Sequence, residues 1–377
     1  MDSSQWRELP FTRAFEDKTA QAHKVDQDQF LSSGKHPIID QGQSFIAGYS
    51  DNPALVWKGK LPVVIFGDHT RAIKYVDFPF ILGADGAKVL MPNSALWPKF
   101  AYYQLLNFNI PSAGYSRHFK FLRELSLVLP PFPEQQRIAA ILARADRLRR
   151  LRRYALELSA GYMQAVFVEM FGDPVRNPRG WRVVELGDIG EIQGGLQLSS
   201  RRDDLALKAP YLRVANVYRD RLDLSEIKMI GLTEDELRRL ELKPDDLLLV
   251  EGHGNIEEIG RCAMWNGSIP GCVHQNHLIR VRINRSAASS VYASRYLNGS
   301  AGRSYFREVS NTTSGLNTIS TGIVKRCPIL LPPINHQSKF ALVVLKQERL
   351  RTQQREAARQ AEQLFGALLG RAFRGEL

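Results

Sequence analysis

The chain has 377 residues, a length that fits two domains with connecting elements better than one small core. With 44% hydrophobic and 24% charged residues it is expected to be a soluble globular protein, because no apolar run approaches the ~20 residues of a membrane span. Its formal net charge of +12 favours a polyanionic partner such as a nucleic acid. The polar stretch 1–21 lacks a signal-peptide pattern, so a cytoplasmic location is expected.

An internal repeat organises the chain. The runs Leu127–Pro131 and Ile329–Pro333 both end a strand-like segment in two prolines, and they lie 202 residues apart (331 − 129). The offset holds downstream through the pairs Gln135 and Gln337, Ile138 and Phe340, Arg149 and Arg351, and Phe171 and Phe373. Upstream, Trp6-Arg7 resembles Trp181-Arg182. The predicted order is therefore domain, helix, domain, helix.

The predicted boundaries follow from this repeat. We expect a first domain over 1–131, a long helix over 132–174, a second domain over 175–333 and a second long helix over 334–377. Both domains contain short β-like runs separated by Gly, Asn, Asp or Pro, which is typical of an irregular, β-rich α+β domain.

The two segments after the prolines are predicted to be helices because they are nearly free of Gly and Pro. Apolar residues recur every seven positions, for example Val343, Leu350, Ala357 and Leu364, with polar residues between them. This pattern favours an antiparallel coiled coil between the two helices. The alternative is two separate amphipathic helices, each packed on its own domain. About 35 helical residues would give a spacer of roughly 50 Å.

Several motifs resemble a known family. The run Leu129–Ala140, continued by Val168–Pro174, resembles the first of the two conserved helical regions of Type I restriction-modification specificity subunits. Further segments resemble two classes of target-recognition domain: His36–Gly42, Phe66–Arg71 and Tyr115–Lys120 in the first domain, and Trp181–Gly187, Tyr211–Asn216 and Asp245–Arg261 in the second. The second helix departs from the pattern, since it begins Ile334-Asn335-His336-Gln337 and lacks the Phe-Gly-Asp ending.

The resemblance implies a fold and a function. It implies two target-recognition domains in a pseudo-two-fold arrangement, separated by two long antiparallel coiled-coil helices. Each domain would read one half of a split double-stranded DNA sequence, and the helices would set the gap. The partners implied are two methyltransferase (M) subunits and restriction/translocase (R) subunits. A related system, in which one partner both methylates and cleaves DNA, is the alternative.

Candidate DNA-contacting residues are basic, amide and hydroxyl side chains on Gly-rich loops. Arg can bind guanine bidentately and Asn or Gln can bind adenine, whereas Ser, Thr and Lys suit phosphates. The candidates in the first domain are Arg71, Lys74, Arg117, His118 and Lys120. Those in the second are Arg213, Asn216, His253, Asn255, Arg261, Gln275, Asn276, Thr313 and Asn317. For any one of them, a solvated surface residue or a turn former is the alternative interpretation.

Catalytic motifs are incomplete in this sequence. An amino-methyltransferase loop would need Asn or Asp before Pro130-Pro131, where this chain has Leu129. A Pro-Asp…Glu-x-Lys nuclease motif fails because His253 stands at the lysine position, and no GxxxxGK[ST] loop is present. Neither the His274–His277 run nor Gly67-Asp68-His69 completes a zincin or hydrolase motif. The three cysteines form no CxxC pair. We therefore expect a non-catalytic protein without cofactor or metal.

Overall fold

The structure is a computed structural model that describes residues 6–83, 86–112, 114, 117–313 and 315–377, without the side chains of residues 160 and 311–313. Two compact units are present. The first comprises residues 1–155 and 354–377, and the second comprises residues 156–353.

The helices lie in chain order. They are α1 Phe11–Ala14, α2 Pro98–Asn107, α3 Phe119–Arg123, α4 Phe132–Ala160, α5 Tyr162–Phe171, α6 Leu186–Ile189, α7 Glu234–Leu240, α8 Ser290–Asn298, α9 Ser300–Val309, α10 Thr321–Lys325 and α11 Ile334–Phe373. Helix α5 ends at Phe171 and is followed by Gly172, whose φ of 83° suits a residue without a Cβ.

The strands of the first unit are β1 Arg7–Pro10, β2 Phe15–Asp17, β3 Lys24–Val25, β4 His36–Ile39, β5 Gly48–Ser50, β6 Val63–Gly67, β7 Ile73–Val76, β8 Ile81–Gly83, β9 Ala87–Pro92 and β10 Ser126–Leu129. They form a β1-β10 ladder and two four-stranded sheets, ordered β2-β9-β6-β7 and β3-β8-β4-β5. Strand β6 is apolar throughout and buried on both faces. Val64 and Phe66 belong to the same core cluster as α2, whereas Val63 and Ile65 pack in a separate cluster with Trp57 and Phe80.

The strands of the second unit are β11 Arg182–Glu185, β12 Gly190–Gly194, β13 Lys208–Leu212, β14 Val217–Tyr218, β15 Arg221–Leu222, β16 Lys228–Gly231, β17 Leu247–Val250, β18 Gly252–His253, β19 Cys262–Met264, β20 Val273–His274, β21 Leu278–Ile283, β22 Asn311–Thr313, β23 Leu316–Thr318 and β24 Pro328–Leu331. The main sheet is ordered β12-β21-β17-β19. Smaller sheets are β11-β24, β16-β13-β20, β14-β15 and β18-β23-β22. The expected α+β class is confirmed.

The sequence repeat has a structural counterpart. Strand β1 pairs antiparallel with β10, and β11 pairs with β24 in the same four-residue register. Gln135 and Gln337 are both buried at the start of the following helices. The amide oxygen of Gln135 accepts from the Trp97 backbone N–H at 2.7 Å, and its nitrogen donates to the Pro130 carbonyl at 3.0 Å. Gln337 makes the same two bonds: its oxygen accepts from the Ser289 N–H at 2.9 Å, and its nitrogen donates to the Pro332 carbonyl at 2.8 Å. In each unit one glutamine amide therefore ties the start of the long helix to the preceding strand and to the start of a second helix.

The long helices differ from the expectation in two ways. The first is interrupted at Gly161, which separates α4 from α5, since glycine is a poor helix former. The expected heptad seam also leaves Leu148, Leu350 and Leu364 40–47% exposed.

Within each unit α11 nevertheless packs on the other long helix. In the first unit Arg149 of α4 pairs with Glu362 of α11 at 3.1 Å, and in the second the Phe340 ring centre of α11 lies 5.3 Å from that of Phe171 in α5. The two long helices therefore pack side by side and run antiparallel within each unit, as the expected fold has them.

Candidate nucleic-acid interface

The residue that follows β6 organises one edge of the first unit. The buried Asp68 donates its backbone N–H to the Gly86 carbonyl at 2.6 Å and accepts from the His118 N–H at 2.9 Å. Its carboxylate also accepts from the Phe119 N–H at 2.7 Å, at the start of α3. Residues 68–72 and 117–120 and Gly86 therefore meet at the end of β6. Residues 40–47 join them through Thr70 and Lys74, and we call residues 40–47, 68–72 and 117–120 the first loop edge.

Lys74 on β7 holds the 40–47 segment in place. Its ammonium donates to the carbonyl oxygens of Asp40 at 2.8 Å and Ser44 at 2.6 Å, and lies 3.3 Å from the Asp40 carboxylate. The side chain is only 5% exposed, and burial lowers the pKa of Lys74. The hydroxyl of Thr70 donates to the Gln41 carbonyl and adds a further tie. Lys74 therefore supports the loop and does not face a ligand.

The basic residues that face solvent on this edge are Arg71, Arg117 and Lys120. Arg71 occupies the β6–β7 turn with a φ of 61° and donates one guanidinium N–H to the Ile110 carbonyl at 3.0 Å. Arg117 is exposed and has no hydrogen-bond or ionic partner among the described residues. Lys120 lies with its ammonium 5.0 Å from the centre of the Phe121 ring. By contrast His118 is buried, with Nδ1 2.8 Å from the Asp68 carbonyl oxygen.

The second unit builds its equivalent edge with the same backbone bonds. Glu251, which follows β17, donates its N–H to the His277 carbonyl at 3.0 Å and accepts from the Ile319 N–H at 2.9 Å. Gly86 and His277 each precede the strand that lies beside β6 or β17, so the two bonding patterns correspond. We call residues 252–258, 274–277 and 315–319 the second loop edge.

Amide and imidazole groups occupy the second loop edge. Asn317 on β23 donates its side-chain N–H to the His253 carbonyl at 3.3 Å, across the ladder with β18. The Asn255 amide oxygen accepts from the Glu257 N–H at 3.0 Å and caps a short turn. The side-chain amides of Gln275 and Asn276 are half-buried and have no hydrogen-bond partner among the described residues. These two amides are therefore available to a ligand.

The remaining candidates of the second domain serve the fold. Asn216 is buried, and its amide donates to the carbonyls of Asp223 at 2.8 Å and Glu226 at 3.0 Å. Arg213 pairs with the Glu226 carboxylate at 3.2 Å. Arg261 is 8% exposed and bonds the Glu258 carboxylate at 3.1 Å. A buried, paired polar group cannot reach a DNA base without breaking these bonds.

Some predicted site residues lie outside the described residues. Tyr115 and Ser116 of the Tyr115–Lys120 motif are among them, as are the side chain of Thr313 and Ser314 in the neighbouring loop.

Sequence reasoning missed the residues that shape the edges. Gln41 ties two loops in the first unit, because its amide oxygen accepts from the His69 N–H at 3.3 Å. In the second unit the exposed His277 imidazole lies 3.4 Å from the Glu251 carboxylate. Burial raises the pKa of Glu251, and His277 opposes that effect. A carboxylate directly after each buried central strand was the sequence signal that could have identified both edges.

All three cysteines are buried, and burial raises the pKa of Cys262, Cys272 and Cys327 to about 12, which disfavours the thiolate. No cluster of three or more His, Cys, Asp or Glu able to hold a metal occurs in the part of the chain that the structure describes. Among those residues, no helix is both long and apolar enough to span a membrane.

The chain is similar in sequence to specificity subunits of Type I restriction enzymes. No family profile matches the chain. The Type I restriction enzyme EcoKI specificity subunit of Escherichia coli (strain K12) is 26% identical over 275 residues, which cover 67% of this chain and 58% of that protein. The StySPI specificity subunit of Salmonella potsdam is 25% identical over 270 residues, with the same coverage. The aligned part thus spans little more than half the length of these relatives.

Solved structures share the fold. A crystal structure of a Type I restriction-modification S subunit from M. genitalium aligns with a TM-score of 0.61 and 16% identity, over 98% of this chain and 96% of that one. A chain from a study of the assembly and conformational transition of the Type I R-M system aligns with a TM-score of 0.54 and 18% identity, over 99% and 98%. The family resemblance expected from the helix motifs is confirmed by these comparisons together with the curated relatives.

Proposed function

We propose that this chain, which belongs to the Type I restriction-modification specificity-subunit family, reads a two-part sequence in double-stranded DNA, one part with each loop edge. The first loop edge would use Arg71, Arg117 and Lys120. The second would use His253, Gln275 and Asn276. An arginine can bind a guanine edge bidentately, whereas the amides match adenine.

One observation carries this proposal. The two units hold their loop edges with the same pair of backbone bonds, made by Asp68 in one and Glu251 in the other. The side chains displayed on this shared framework differ: arginine and lysine in the first unit, amide and imidazole in the second. A common framework with different displayed groups suits two readers of different sequences.

The chain would act without chemistry of its own. The sequence lacks a complete acceptor-amine loop or nucleotide loop. We propose that two methyltransferase subunits and the restriction/translocase subunits supply methylation and cleavage. Helix α11 has 40 residues and is therefore about 60 Å long, which suits a spacer between two readers. The four-part division at 131, 174 and 333 is part of this proposal.

Mapping methylated adenines in the host genome tests the proposal. The expected result is a split motif, two short specified sequences around an unspecified gap, that disappears when this gene is deleted. A methylation pattern unaffected by deletion would contradict DNA reading by this chain. Purified chain alone should transfer no methyl group from labelled S-adenosylmethionine to DNA. Transfer by the chain in the absence of partner subunits would contradict the non-catalytic role.

A further inference from the structure

A cleft of about 700 Å³ lies between α4 and the β7 side of the first unit. Its helix wall carries the side chains of Arg144, Arg147, Arg150 and Tyr154, and its other wall is aromatic. Tyr154 is 57% exposed, and the Phe45 ring centre lies 6.1 Å from that of Phe78. The cleft is therefore open, with aromatic walls and a basic rim.

The charge of this cleft is not neutralised within the fold. Four basic side chains line it, the three arginines and Lys99, against the two acidic groups Asp77 and Asp146. Asp146 is already engaged by Arg149 and Arg150, each at 2.7 Å. Arg144 and Arg147 are exposed and have no hydrogen-bond or ionic partner among the described residues. Two guanidinium groups one helical turn apart are thus free to bind an anion.

The cleft is continuous with the first loop edge. Phe45, which lines it, belongs to the 40–47 segment that Lys74 fastens at Ser44. Tyr75 lines it from β7 and lies next to Lys74, and the Tyr75 and Tyr102 ring centres are 5.6 Å apart. Tyr102 in turn accepts a hydrogen bond from Arg150 at 3.1 Å. A polyanion bound on the loop edge would therefore extend towards the arginines.

The repeat shows that this basic surface is particular to α4. At the offset of 202 residues, Arg150 corresponds to Thr352 and Tyr154 to Glu356. Arg144 and Arg147 correspond to Lys346 and Arg349, which are also exposed. On α11, however, a threonine and a glutamate take the places of the third arginine and the tyrosine. Both long helices thus carry two cations at matching positions, but the surface around them is more basic on α4 than on α11.

We infer that the α4 arginine face, Arg144, Arg147 and Arg150, binds the DNA phosphate backbone beside the half-site read by the first loop edge. The inference rests on the proposed function, because it needs DNA on that edge. The observations that favour a nucleic acid over a protein partner are the unpaired cations and the continuity with the loop edge. Such contacts are sequence-independent, so the face adds affinity without changing the bases that are read.

The test compares two double variants of the full chain, each assembled with its methyltransferase partners. Arg144→Ala with Arg147→Ala removes two cations from the face, and Lys346→Ala with Arg349→Ala removes two at the matching repeat positions. Binding is measured from 50 to 200 mM salt on duplexes with and without the methylated motif. Losing two phosphate contacts should flatten the slope of log K against log[salt] by about 1.8, so the loss of affinity at 50 mM exceeds that at 200 mM by about 12-fold.

The control variant should retain the wild-type slope, and both variants should retain the methylated motif. An unchanged slope in the α4 variant, with correct assembly, would overturn the inference. Loss of methyltransferase assembly with an unchanged slope on any remaining complex would instead assign the face to a protein partner. These outcomes are separate from the proposed function, which fails only if the wild-type complex reads no split motif.

Discussion

Lys74 and Arg117 were equivalent candidates in the sequence, and the structure predicts opposite behaviour for them. In Lys74→Met the Asp40 and Ser44 carbonyls lose their donor and the Asp40 carboxylate loses its counter-ion. Breaking a buried charge pair costs about 3 kcal/mol. For a unit of this size that lowers the melting temperature by about 6–12 °C.

Arg117→Ala removes an exposed side chain without a partner among the described residues, so stability should change by less than about 0.5 kcal/mol. If Arg117 contacts a guanine, discrimination at one position of the first half-site should fall by about 1–3 kcal/mol, while the second half-site stays unchanged.

Hydrogen exchange of peptides over residues 40–47 reports the stability effect, and methylome sequencing reports the reading. Lys120→Met is the matched control, because it removes an exposed ammonium and should leave exchange unchanged. Wild-type exchange in Lys74→Met, or faster exchange in Arg117→Ala, would refute the assignment of these roles.

Three further predictions concern the framework. Gln337→Leu should destabilise the second unit by about 2–4 kcal/mol because it leaves the Pro332 carbonyl unpaired together with the Ser289 N–H, and Gln135→Leu should affect only the first unit; unit-specific hydrogen exchange checks both. Burial, aided by Arg280, lowers the pKa of His274 to about 4. Between pH 6.5 and 4 the unfolded chain therefore binds a proton at His274 that the folded chain does not bind, so the free energy of unfolding falls as the pH falls through this range. The loss should reach about 3 kcal/mol, and urea unfolding from pH 6.5 to 4 should show a weaker pH dependence in His274→Phe. Seven extra residues after position 155 and seven after position 353 should lengthen each long helix by about 10 Å and widen the methylated gap by about three base pairs; an unchanged gap in an active complex would show that the helices do not set it.

The order of domains and long helices could be predicted from the sequence because the chain repeats the same motifs at a fixed offset. The Leu-Pro-Pro endings and the paired glutamines keep a fixed offset, and in the structure they occupy matching positions. The roles of single loop residues were not accessible. Asn216 and Asn276 are both amides near turns, yet one is buried with its donors satisfied and the other has no partner among the described residues. Composition cannot distinguish them, because the difference depends on which carbonyls the fold brings within reach.

The equivalence of the two loop edges could not be predicted from the sequence. It depends on backbone groups of Asp68 and Glu251, and a backbone bond places little restriction on the side chains around it. The α4 arginine face was visible only as part of a helix rich in arginine, a pattern that solvated helices commonly share. Its continuity with the 40–47 segment becomes apparent once Phe45 and Tyr75 are placed in three dimensions.

Exchange of one recognition domain tests the central claim most directly. Residues 1–130 are replaced by the corresponding domain of a family member with a known, different motif, and methylated adenines are mapped in a strain that carries the chimera. If each loop edge reads its own half-site, the first half should become that of the donor while the second half stays as in the wild type. An active chimera in which both halves change, or in which neither changes, would contradict two independent readers on one chain.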